Sequence, residues 1–198
     1  MHAVAGWIGR THGRARAVRG RGRWCALLLG ALLCPAYPAG QTAAAEHELE
    51  AAFVSKLPQF TNWPESTLDR LQRIELCVAR PNPFGSSLRG LIAGERLGTR
   101  PLVVREVDSP LDLDTCQLLF VPSQSLHDRS GLLDRARRLP ILTVGDAPTF
   151  IDEGGIVALH MINGRVRFDI NVEAANQVGV RLSSQLLQLA LSVRGGRE

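Results

Sequence analysis

Between Gly164 and Ala190 the hydrophobic period changes from two residues to about 3.6 at positions that residue type alone marks, and no other stretch constrains the fold as tightly. Val166, Phe168 and Ile170 alternate with Arg165, Arg167 and Asp169, which predicts a strand with one buried face. Asn171 then stands where a helix N-cap belongs, and Glu173 in the first turn complements the positive helix end. Gly179 closes that short helix. Ser183 or Ser184 opens a second one, whose Leu186, Leu187, Leu189, Ala190 and Val193 form a wide apolar stripe. The block therefore reads as a strand feeding two helices.

Upstream the same reading gives alternating elements. Residues 48–60 read as a helix with Leu49, Ala52, Phe53, Leu57 and Phe60 on one side, ended by Pro64. Residues 74–79 read as a strand, 84–93 as a helix opened by Pro83, 101–107 and 116–121 as strands, 125–138 as a helix and 140–144 as a strand. Residues 155–162 and 164–170 form a hairpin across Asn163-Gly164, a dipeptide that tolerates the positive φ angles of a tight turn. Strands alternating with helices predict an α/β fold: a single-domain sandwich with a mixed, largely parallel sheet flanked by helices and one C-terminal hairpin.

Residues 1–45 carry six arginines and no acid, then the apolar run Trp24 to Cys34, then Pro35, Pro38 and an alanine-rich stretch. This is the pattern of a secretory signal peptide, and a run of that length is too short for a permanent membrane span. Ala43 and Ala45 fit a small-x-small cleavage pattern, placing the mature start near Glu46, with Ala39 as the alternative. The domain then occupies residues 46–198. A start at Val18 would give the leader a more ordinary length, while lipidation at Cys34 is opposed by the bulky Leu33 before it. Removing six of the 23 basic residues leaves 17 against 19 acids, so the formal +4 of the whole chain becomes −2. No basic footprint for nucleic acid survives cleavage, and no nucleic-acid partner is expected.

Two cysteines remain after the leader, Cys77 in IELCVA and Cys116 at the head of CQLLFV, each in a short apolar run. In an oxidising compartment an even pair is expected to be bridged, and neighbouring strands would make a bridge feasible. The alternative is a pair of reduced, buried thiols acting as small hydrophobes.

Catalytic chemistry is hard to assemble from what is left. His47, His127 and His160 have no metal-ligand spacing, and Ser86 and Ser87 lack a nucleophile elbow. No cofactor or metal is expected. Candidate binding residues are Ser86, at a helix start after the first strand; Asp146, at the carboxyl end of a strand; and Arg165, Arg167 and Arg181, whose guanidinium groups suit acidic ligands or surfaces. Phe60 and Trp63 in PQFTNWP serve either as a staple of helix to sheet or as an exposed interface.

The C-terminal block, taken with LTVGD at 142–146, Gly154-Gly155-Ile156, LCVARPNPFG at 76–85 and CQLLFVP at 116–122, resembles the YfiR family over roughly residues 48–193. That family also carries cysteines in these two blocks, and some of its members use cysteine oxidation to hold themselves active. The resemblance implies a periplasmic, non-enzymatic regulator that binds the periplasmic domain of an inner-membrane diguanylate cyclase and represses cyclic di-GMP signalling and biofilm formation. It further implies release by an outer-membrane lipoprotein or a redox change, and a homodimer. A second reading is a periplasmic receptor for a small ligand, a nucleotide or amino acid, coupled to a histidine kinase or other membrane protein. A third is a secreted hydrolase, which the missing constellation disfavours.

Overall fold

The computed structural model describes residues 39–125 and 129–195. In chain order, α1 (Ala39–Lys56) runs into a 3-10 turn (Leu57–Phe60), β1 (Thr61–Asn62), α2 (Glu65–Leu68), β2 (Ile74–Ala79), α3 (Ser87–Leu91), β3 (Arg96–Leu97) and β4 (Arg100–Val107). A second 3-10 turn (Pro110–Thr115) leads to β5 (Cys116–Val121), α4 (Arg129–Ala136), β6 (Leu142–Gly145), β7 (Val157–Ile162) and β8 (Arg165–Asn171). The chain closes with α5 (Val172–Gln177), β9 (Arg181–Leu182), α6 (Ser184–Leu189) and β10 (Ser192–Arg194).

Eight strands form one sheet in the order β10-β8-β7-β6-β5-β2-β4-β3. The five central strands, β4-β2-β5-β6-β7, are all parallel, while the β7–β8 and β3–β4 pairs are antiparallel. The mixed, largely parallel sheet and its hairpin are as the sequence predicts. Asn163 and Gly164 take φ of 52° and 70°, the paired positive angles of a two-residue hairpin turn.

β2 and β5 are buried at every position, because residues on both faces meet a helical layer. On one face Leu76, Val78, Leu118, Phe120 and Val144 pack with Ala51 and Val54 of α1, Leu57 of the turn after it, Leu88 of α3, and Ala175 and Leu186 of the last two helices. On the other, Cys77, Ala79, Leu119 and Val121 pack with Leu132, Leu133 and Ala136 of α4, and with Phe150. Cys77 and Cys116 are bridged on this second side, with S–S 1.95 Å and Cα–Cα 5.8 Å. The neighbouring places of β2 and β5 make that bridge possible.

Caps fall where residue chemistry puts them. Asn171 accepts from the Ala174 N–H, and Ser183, the first of the two candidate serines, accepts from Leu186. Gly179 follows α5 with φ 75°, and β8 alternates as expected, its even residues inward.

Three expectations are corrected. The buried side of α1 is centred on Glu50, Ala51 and Val54 and continues into Leu57 of the following turn, whereas Leu49 is 44% exposed. A count of apolar residues misses that face, since it contains a carboxyl and the Ser55 hydroxyl, which bonds back to Ala52 O at 2.7 Å. The last helix stops at Leu189, itself 67% exposed. Leu191 N then bonds to Phe168 O, and Val193 lies in β10, which pairs in parallel with β8 and covers its otherwise open edge. The predicted 84–93 helix is helical only over Ser87–Leu91, because the Asn82 side chain caps Phe84 N in a preceding turn. Residues 126–128, including His127, and residues 1–38 of the expected leader lie outside the described residues.

Candidate functional site

The central strands are doubly wound: β2 crosses to β4 over the α1 side, and β4 returns to β5 over the opposite side. Their connections diverge between β2 and β5, and open α/β sheets place ligands beyond the carboxyl ends of such strands. Side-chain hydrogen bonds tie the loops at this end together. Asp146, just after β6, accepts from the N–H and hydroxyl of Ser123, just after β5. Ser125 Oγ donates to Arg80 O at 2.7 Å, joining the loop after β5 to the loop after β2, where the Arg80–Pro81 peptide is cis. Asn82 bridges from Phe84 N to Glu106. Ser86 is exposed nearby at the start of α3, with no side-chain capping bond.

Glu50 reaches this end of the sheet from above. Trp63 Nε1 donates to Gln117 O at the amino end of β5, so the chain just after α1 sits at the opposite end of the sheet. The earlier turns of α1 therefore lie toward the carboxyl ends. Glu50 is 5% exposed, and its Oε2 has no partner among the described residues. Burial, then the negative charges of Asp146 and Glu46, push its carboxyl up to about 7 from its ordinary 4.5. Folded Glu50 keeps its proton through a range in which the unfolded chain has released it. Stability is therefore expected to fall as pH rises from 4.5 to about 7, and then to level off. The expected loss is about 2–3 kcal/mol. Glu50→Gln should abolish that slope and raise stability above pH 7. Urea midpoints across this range check it, and parallel pH profiles for the two proteins would contradict it.

A second group of charges sits beside the disulfide at the amino ends of β2 and β5. Burial alone would raise the Glu75 carboxyl, but hydrogen bonds from Thr115 (2.7 Å), Arg73 (2.8 Å) and Arg105 (2.9 Å) outweigh it and hold the group below its ordinary value. Arg105 also lies 3.5 Å from Cys116 Sγ. The acid in the otherwise apolar run IELCVA was the available sequence signal for this network.

Trp63 is 4% exposed, which settles the choice left open above: it is a staple. Phe60 is half-buried, and its carbonyl accepts from Ser183 N. These contacts accompany a two-residue ladder between β1 and β9, too short to be read from periodicity. The ladder brings Arg181 to Trp63, and together with Asn62, Pro64, Glu65, Asn176 and Gly179 they line a cleft of about 620 Å³.

Arg165 and Arg167 are exposed on the polar face of the hairpin, and no described residue pairs with either. On that face His160 Nε2 lies 2.8 Å from Asp169, which also accepts from Ser192 at 2.7 Å. The carboxylate stands between hydroxyl and imidazole, so this is a satisfied surface cluster and not a serine with its base. Desolvation raises Asp169, and the bonds from Ser192 and His160 more than offset it, leaving the group low. The candidates thus separate into three places: Ser86 and Asp146 in loops at the carboxyl ends of the strands, Trp63 and Arg181 with Phe60 at the cleft, and Arg165 and Arg167 on the hairpin. Among the described residues no group of three or more His, Cys, Asp or Glu is placed to hold a metal ion. No helix among them is long and apolar enough to cross a membrane.

The family model described as DUF4154, YfiR/HmsC-like, matches residues 47–191. Among solved structures, the chain is similar to a conserved domain protein from Vibrio cholerae O1 biovar El Tor, at 13% identity and TM-score 0.49 over 75% of this chain. It is also similar to an ABC domain in complex with L-Trp from Streptococcus pneumoniae, at 11% identity and TM-score 0.44 over 76% of this chain. In each case the match spans 60% of the other protein's length.

Proposed function

Because the chain belongs to the YfiR/HmsC-like family, we propose that it is a non-enzymatic envelope regulator that binds the periplasmic sensor domain of an inner-membrane diguanylate cyclase and holds that enzyme in its low-activity state. The supporting observation is the extent of the match. Residues 47–191 include the five parallel strands, the disulfide and the hairpin. A leader ending near Ala45 would deliver the domain to the periplasm, where the bridge is stable. An outer-membrane lipoprotein would relieve repression by competing for the regulator, and a homodimer would present two copies of the binding face.

Repression of this kind is a difference of affinities: the regulator must bind the inactive sensor more tightly than the active one. The unpaired Arg165 and Arg167 supply a surface for acidic groups on the sensor, since guanidinium forks bind carboxylates bidentately. Arg165→Glu/Arg167→Glu is expected to weaken co-purification with the sensor domain at least tenfold while leaving the fold intact. Equal recovery with the parent and the double variant would remove these arginines from the interface.

The cleft beside Trp63 supports the second reading, that of a small-ligand receptor coupled to a membrane protein. Its volume is in the range of ligand sites, and its lining includes the opposite charges of Glu65 and Arg181. Calorimetry with amino acids and nucleotides tests it, and retained heats in Arg181→Ala would rule this cleft out.

A further inference from the structure

We propose that a second cleft, at the amino ends of β2, β4 and β5, binds the phosphate group of a small phosphomonoester or of a lipid headgroup between Arg70 and Arg73. The cleft has a volume of about 450 Å³, within the range of small-ligand sites, and its lining includes Arg70, Leu71, Arg73, Glu75, Pro101 and Thr115. Two further arginines adjoin it. Arg100 Nε donates to Leu71 O at 2.9 Å, and Arg105 is bonded to both Glu75 and Thr115. Four guanidinium groups therefore stand around the single carboxylate of the lining, in a domain whose residues 46–198 carry a net negative charge. The acids of the adjoining segments do not offset them. Asp69 is not part of the lining, Asp112 caps Ser109 N at 3.0 Å, and Asp114 pairs with Arg135 at 2.6 Å. A cleft lined by one sign of charge draws ligands of the other.

The hydrogen bonds already made decide which ligand the cleft can take. Glu75 Oε1 accepts from Nε and Nη2 of Arg73, each at 2.8 Å, and Oε2 accepts from Arg105 Nε at 2.9 Å and from Thr115 Oγ1 at 2.7 Å. With both oxygens doubly engaged, the carboxylate has nothing left to offer a cation. Donors, by contrast, remain. Arg70 is exposed, and its guanidinium has no partner among the described residues, while Arg73 keeps N–H groups beyond the two that Glu75 holds. Glu75 is itself 4% exposed, so it anchors Arg73 from beneath and spares a ligand the cost of ordering that side chain. The bond from Arg100 to Leu71 O likewise fixes the loop that carries Arg70. A carboxylate is satisfied by one guanidinium fork, whereas the three terminal oxygens of a phosphomonoester can engage two forks together.

The test uses glycerol phosphate as the calorimetric probe on the purified chain with its disulfide formed. Saturable binding of one glycerol phosphate per chain is expected, with affinity reduced about tenfold or more in Arg70→Ala and in Arg73→Gln. Arg181→Ala, in the cleft beside Trp63, should bind as the parent does. Malonate, a dicarboxylate, should bind at least tenfold more weakly than glycerol phosphate. Circular dichroism establishes whether Arg73→Gln folds; Arg70 holds no other described residue, so Arg70→Ala decides the question if it does not. Sedimentation with phosphatidylcholine vesicles containing phosphatidate separates the two sources. Capture of the parent but not of Arg70→Ala assigns the phosphate to a lipid headgroup, and a parent that stays in solution while binding glycerol phosphate assigns it to a free phosphomonoester. No saturable glycerol phosphate heat, equal affinity in parent and Arg70→Ala, or malonate binding as tightly as glycerol phosphate would each overturn the proposal. All readouts come from the isolated chain, so failure here leaves the cyclase reading standing, and the reverse also holds.

Discussion

Replacing Cys77 and Cys116 together with alanine is expected to lower stability by about 4 kcal/mol and the thermal midpoint by about 10 °C. The two residues are 39 apart in sequence, so the bridge removes a long loop's worth of freedom from the unfolded chain. It also joins β2 to β5, the two strands between which the sheet's connections diverge. Both sulfurs are buried, and the Glu75 network lies beside them, so opening the bond also loosens an ion cluster at the amino ends of the strands. Reduced parent protein should melt close to the double variant, which separates the effect of the cross-link from that of lost side-chain volume. Melting curves with and without reductant make the comparison. A shift of less than about 2 °C would show that the bridge does little for the fold.

Gly155→Ala is expected to cost about 3 kcal/mol, although it adds a single methyl group. Phe150 is fully buried, and its ring lies between Gly145 and Gly155. A Cβ on Gly145 would lie 2.5 Å from ring atoms of Phe150, and one on Gly155 would overlap the ring still more deeply. Neither glycine is needed for its backbone angle; each is needed for the space a ring occupies. That accounts for two glycines in the blocks LTVGD and Gly154-Gly155-Ile156 that carry the family resemblance. Phe150→Leu in the Gly155→Ala background should recover part of the loss, giving a coupling of about 1 kcal/mol or more in a double-mutant cycle. Additive effects would mean that the ring is not what the methyl group meets.

The parts of the fold that the sequence revealed are those fixed by local chemistry. Asn163-Gly164 specifies its turn by φ, Asn171 and Gly179 bracket α5, and IELCVA and CQLLFV have no alternation because both faces of their strands are covered. What it hid depends on partners distant in the chain. The ladder of Thr61–Asn62 with Arg181–Leu182 has no periodicity to detect, and β10 exists because the outer edge of β8 is open. Glu50 escaped notice for a related reason: on a helix an acidic residue reads as solvated, and only the packing of α1 over the sheet encloses it. Asp146 was visible through its place after a strand, yet its neighbourhood with Glu50 follows from topology alone.

These features describe a cross-linked domain with a polar hairpin face at one side of its sheet, which suits the proposed action by contact. The most direct measurement is the turnover of an inner-membrane diguanylate cyclase, reconstituted with its periplasmic sensor domain, on titration with the disulfide-bonded chain. The account predicts a saturable fall in cyclic di-GMP synthesis that the Arg165→Glu/Arg167→Glu variant fails to produce. Unchanged synthesis at concentrations where the sensor is bound would contradict it.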